Sequence, residues 1–71
     1  MHYQEIKHSS QLKSAGYDPH TQEMQIVFAR NVRYIYFKVE PEVYASLIGS
    51  NKASDFFNAN IKGKYEYQKA S

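Results

Sequence analysis

From Gln22 to Ala29 the chain alternates: Met24, Ile26 and Phe28 fall on one side, Glu23, Gln25, Val27 and Ala29 on the other. A period of two predicts a half-buried strand. Val32 to Val39 (VRYIYFKV) is β-branched or aromatic almost throughout and predicts a second, stronger strand. Its two faces are both apolar, with Val32, Tyr34 and Tyr36 on one and Ile35, Phe37 and Val39 on the other. Arg30-Asn31 is the link between them, and Asn tolerates a positive φ there. Upstream, Ser10 to Tyr17 has weaker apolar spacing, with Gly16 marking a bulge or irregular backbone, and predicts a short first strand. Asp18-Pro19-His20-Thr21 suits a type I turn.

After Glu40 the period changes. Pro41 fits the first position of a helix, Glu42 suits its positive end, and Val43, Tyr44, Leu47 and Ile48 form an apolar stripe that Gly49 can close. Ser54 is an expected N-cap with Asp55 in the first turn of a second helix, whose apolar side is Phe57 and Ile61, flanked by Phe56. Gly63 is its expected stop. The pattern therefore predicts an α+β fold: a three-stranded antiparallel β-meander followed by two short helices packed on one face, in the order β-β-β-α-α. The folded unit is expected over residues 10–65, with residues 1–9 a flexible N-terminal arm and residues 66–71 a polar tail.

Composition narrows the function classes. Seventy-one residues are enough for one small domain. With no cysteine there is no disulfide scaffold and no thiolate zinc site. No run approaches the ~20 apolar residues of a membrane span, and no apolar secretory segment opens the chain, so a cytoplasmic protein is expected. Seven Tyr and four Phe supply a core that a chain of this length otherwise lacks. The glycines are isolated, so no phosphate loop is expected. His2, Glu5 and His8 are spaced at three, but a metal site needs a further ligand and a rigid frame. His8-Ser9-Ser10 juxtaposes a base and hydroxyls without the geometry of a triad. Neither enzyme activity nor a cofactor is expected.

The order of residues resembles the KTSC domain family, a small module named after the C-terminus of some lysyl-tRNA synthetases and also found as a stand-alone bacterial and phage protein. The resemblance rests on Ser9 or Ser10, Gly16-Tyr17-Asp18, Phe28, Tyr34-Ile35-Tyr36, Val39 followed by Pro41, Val43-Tyr44, and Phe57-Asn58 through Ile61-Lys62 to Tyr65. It covers about Ser9 to Tyr65. Three places depart from the pattern: Glu40 is inserted before Pro41, Lys52 and Ser54 replace the Ser and Gly before the aromatic pair, and Arg30-Asn31 replaces a Gly turn. The resemblance implies RNA, including tRNA, as a partner to consider.

Independently, residues 30–38 hold three basic and no acidic side chains around the Tyr34/Tyr36 pair. Aromatic rings on a sheet stack single-stranded bases while Lys and Arg neutralise phosphates. The expected nucleic-acid-binding set is Arg30, Arg33, Tyr34, Tyr36, Lys38, Lys62, Lys64 and Tyr65. The net charge is only +2, an ordinary balance, and the tyrosines equally suit a core. If Tyr34 and Tyr36 face outward with Lys38, the open face is an aromatic and basic platform. If they face inward, Arg33, Ile35 and Phe37 lie outside. That apolar face, or a free sheet edge, then suits a protein partner or a homodimer.

Overall fold

The computed structural model describes residues 2–6 and 9–70. It is an α+β fold with one five-stranded antiparallel sheet in sequential order: β1 (His2–Glu5), β2 (Leu12–Asp18), β3 (Glu23–Phe28), β4 (Arg33–Tyr36) and β5 (Tyr67–Lys69). Between β4 and β5 come α1 (Pro41–Gly49) and α2 (Ala53–Asn60). The three expected strands are therefore the middle of a larger sheet. The segments expected to be an arm and a tail supply its two edges. Tyr3 pairs with Gly16 in β2, and Tyr67 pairs with Tyr36 in β4. Both added strands are short and mostly polar, so backbone pairing rather than side-chain alternation defines them.

Three local expectations change. The sheet irregularity lies between Leu12 and Ser14, not at Gly16, which pairs in register with both Tyr3 and Gln25. The strand expected over residues 32–39 stops at Tyr36, because Lys38 turns left-handed at φ 57° and Val39 instead bonds back to Gln22 at 2.9 Å. Helix α2 starts at Ala53 with Lys52 at its N-cap, while the Ser54 hydroxyl hydrogen-bonds the Ser9 hydroxyl. The Ser9 oxygen also accepts from the Leu12 amide at 2.9 Å, so it joins the start of β2 to the start of α2. His2 and Glu5 lie in β1, a strand and not the helix that the His2/Glu5/His8 spacing assumed. His8, in that set and in His8-Ser9-Ser10, lies outside the described residues.

Other details follow from the sequence as read. Pro41 opens α1, Asn31 takes φ 63°, and Asp18 accepts the His20 amide in the turn before β3. Both helices cover one face of the sheet. Leu12, Ala15, Met24 and Ile26 from the strands meet Val39, Leu47, Ala53, Phe57 and Ile61, and all are buried. At the α1 end, Tyr17 and Tyr44 stack with centroids 5.2 Å apart, and the Tyr17 hydroxyl donates to the Val39 carbonyl. These two tyrosines, with hydroxyl pKa values raised chiefly by burial, close one side of the core.

Candidate functional site

The register of the sheet decides where the central tyrosines go. Directly paired residues share a face. Tyr36 pairs with Met24 and Tyr34 with Ile26, and both partners are fully buried under the helices. Tyr34 and Tyr36 therefore lie on the helix-covered face. Tyr36 is 5% exposed, whereas Tyr34 is half-buried at the margin of the core. The flat outward platform of Tyr34, Tyr36 and Lys38 does not form. Ile35 and Arg33 lie on the uncovered face, in rows with Gln25 and Val27.

The helices do not cover the whole inner face. Beyond α2 it opens into a groove of about 370 Å³ lined by Gln11, Phe28, Tyr34, Tyr36, Phe57, Lys62, Gly63 and Tyr67. Five of these are aromatic, and their rings touch in a closed circuit. Phe28 meets Tyr34 edge-on at 5.5 Å, Tyr34 meets Tyr67 at 5.5 Å, and Tyr67 meets Tyr36 at 5.6 Å. Tyr36 meets Phe57 at 5.7 Å, and Phe57 returns to Phe28 at 5.6 Å. Each neighbour fixes the tilt of the next, so the box is held in shape before anything binds. Phe57 is buried as its floor, while Tyr67 is 59% exposed as its outer wall.

Local structure explains how distant residues reach this box. Phe57 projects from the buried side of α2. The Ile61 and Lys62 amides both bond to the Phe57 carbonyl at 2.9 Å, and Gly63 then adopts φ 77°. That left-handed step is natural for Gly and strained for other residues. It turns the chain from α2 back to the sheet, leaving Lys62 at the groove and sending Tyr67 alongside β4. Two bonds secure β5, from the Phe37 amide to the Glu66 carbonyl and from the Ala70 amide to the Arg33 carbonyl.

The groove runs on past Tyr34. A second hollow of similar size shares Gln11, Phe28 and Tyr34 with the first and adds Ala29, Arg30 and Val32. Lys62 thus stands at one end and Arg30 at the other. Lys69, paired with Tyr34, joins the same face beside the box. Among the described residues, neither hollow is lined by an acidic side chain. Burial pushes the Tyr36 hydroxyl up to about 12, and the neighbouring Tyr67 and Tyr34 hydroxyls push the same way. The Tyr36 hydroxyl is therefore neutral at physiological pH.

Of the residues expected from the sequence, Arg30, Tyr34, Tyr36 and Lys62 are gathered along this groove. Arg33 lines a separate hollow on the uncovered face with Tyr3 and Val27. Lys38 sits in the turn after β4, and Lys64 contributes to neither hollow of the groove. The Tyr65 hydroxyl donates to Glu40 at 3.0 Å, away from the box, and burial followed by that carboxylate raises its pKa. Gln11 and Tyr67 join the groove without a local sequence signal, and Lys69 stands out only as a basic side chain; cross-strand register and the turn at Gly63 bring them there. The strand pattern assigned Phe28 to a buried face, and the helical stripe did the same for Phe57.

Comparison with known proteins follows the same outline. The KTSC domain model matches residues 8–65. A protein of Tsukamurella paurometabola is 33% identical over 57 residues, spanning 80% of this chain and 85% of that protein. A lysine–tRNA ligase of Nostoc punctiforme is 36% identical over 62 residues, which are 87% of this chain and 11% of the ligase. The crystal structure of a KTSC domain protein from Yersinia pestis superposes with a TM-score of 0.92 at 28% identity, covering 99% of this chain and 97% of that one.

Proposed function

Because the chain belongs to the KTSC domain family, we propose that it is a non-enzymatic binding module that holds single-stranded nucleic acid, RNA first, in its aromatic groove. One observation carries this reading: a preformed circuit of five aromatic rings opens between Lys62 and Arg30 with no acid in its lining. Every base has a π-face, and stacking on an aromatic side chain contributes about 1–3 kcal/mol per base. The flanking cations suit the phosphates on either side of a stacked base. The name of the lysine–tRNA ligase relative supports considering RNA, including tRNA, before DNA.

The test is a titration of isotope-labelled protein with single-stranded RNA at two salt concentrations. Amide shifts are expected at residues 28–36, 62–63 and 67–69, weakening as salt rises. With Arg30, Lys62 and Lys69 each neutralising one phosphate, the slope of log affinity against log salt is about −2, at about −0.7 per contact on a single strand. Replacing Lys62 by Ala reduces that slope by about 0.7. Silence of these amides at low salt refutes the reading.

The uncovered sheet face supports a second reading, a homodimer or a protein partner. It carries Tyr3 at 45% exposure with half-buried Val27 and Ile35, an apolar strip beside Arg33. Sedimentation at rising concentration tests the dimer, and a constant monomer mass removes it.

A further inference from the structure

We propose that the groove discriminates between bases, preferring adenine, and that Gln11 reads the adenine at its N6/N7 edge; the inference rests on the nucleic-acid reading above. Gln11 lines both hollows and stands where they join, beside Phe28 and Tyr34. Its backbone is fixed on both sides. The Gln11 amide donates to the Ser9 hydroxyl at 3.2 Å, and its carbonyl accepts from the Ala29 amide at 3.0 Å. Its side-chain amide, by contrast, has no hydrogen-bond partner among the described residues. Gln11 thus stands where the two hollows join with a side-chain donor and acceptor uncommitted.

The charge around the box selects the ligand class. Aromatic boxes also hold quaternary ammonium groups by cation–π attraction. Here Lys62, Arg30 and Lys69 ring the opening without a compensating acid in the lining. That arrangement repels a cationic ligand and attracts a flat ring with phosphates attached.

Within nucleotides, a purine covers more of five rings than a pyrimidine does. The edge then separates the purines. A glutamine amide offers a donor beside an acceptor. Adenine complements it on two edges, through N6 with N7 and through N6 with N1. Guanine complements it on its Watson–Crick edge and through N2 with N3, but not at N7 and O6, which are both acceptors. Where the stacked base turns its N7 edge toward Gln11, adenine is therefore matched and guanine is not.

The experiment compares four labelled RNA tetramers that differ at one central position between uridine flanks, by fluorescence anisotropy, with the intact protein and with Gln11→Ala. The intact protein is expected to bind the adenine tetramer roughly fivefold or more tighter than the uracil tetramer, the lower bound for a bidentate amide–base pair. In Gln11→Ala the advantage of adenine over guanine is expected to vanish, while the uracil tetramer still binds. Equal binding of all four by the intact protein, or an adenine preference unchanged in Gln11→Ala, overturns the inference and leaves the groove as a non-selective binder. Absence of binding by every tetramer overturns it together with the nucleic-acid reading.

Discussion

Tyr67 offers the sharpest separation of fold from function. It sits on the three-residue strand β5, more than half in water, and completes the box by touching Tyr34 and Tyr36. Replacing it by Ala removes two aromatic contacts at about 0.5–1.5 kcal/mol each. With the ring 59% exposed, the lower half of that sum applies, about 1–2 kcal/mol. A small domain has about 5–15 kcal/mol in hand, so the variant stays folded. Its Tm falls by roughly 5–15 °C, at about 4–8 °C per kcal/mol. Binding loses a stacking surface contributing about 1–3 kcal/mol, so RNA affinity drops about 5- to 150-fold. Tyr67→Phe keeps the ring and is expected to restore most of that affinity. The assays are thermal denaturation by circular dichroism and anisotropy with a single-stranded RNA. Two results refute the reasoning: Tyr67→Ala binding as tightly as the unaltered protein, or Tyr67→Phe binding as weakly as Tyr67→Ala.

Other perturbations test the frame around the box. Leu47 is fully buried on α1 against the sheet, so Leu47→Ala is expected to lower unfolding free energy by about 3–5 kcal/mol, read as a reduced urea midpoint. Gly63→Ala faces no steric neighbour but forces a side chain into φ 77°, at a cost of about 1–2 kcal/mol. If the box depends on that turn, it also weakens RNA binding more than its stability loss explains, seen by comparing binding well below the melting temperature. Alkaline titration followed at the phenolate absorbance should show Tyr36 ionising last, near 12. A raised native pKa stabilises the fold fully below the free tyrosine value of about 10, and that contribution disappears as pH climbs through about 12. Alkaline unfolding between those limits is therefore expected, and Tyr36→Phe removes this residue's share of it.

The sequence is legible where neighbours along the chain carry the structure. The alternation at Met24, Ile26 and Phe28, Pro41 at the start of α1, and Asn31 in the β3–β4 turn are local choices, and each is realised. Strands β1 and β5 are not local in this sense. Neither alternates cleanly, and each is defined by a backbone partner elsewhere, β2 for one and β4 across both helices for the other. The orientation of Tyr34 and Tyr36 was undecidable from VRYIYFKV because both faces of that stretch are apolar. Pairing with Met24 and Ile26 settles it. The groove inherits both difficulties: Tyr34, Tyr36, Arg30 and Lys62 stood out by type, whereas Tyr67, Lys69 and Gln11 become their neighbours only through register and the turn at Gly63.

The circuit of rings also makes the protein its own optical probe. The chain has no tryptophan, so its near-ultraviolet emission comes from seven tyrosines, three of which belong to the circuit. Rings held at about 5.5 Å exchange excitation readily and share one chiral environment. A planar ligand that slides between them interrupts that exchange and quenches the emission it displaces. Occupancy of the groove should therefore register in intrinsic tyrosine fluorescence and near-ultraviolet dichroism, without any dye or tag on the protein.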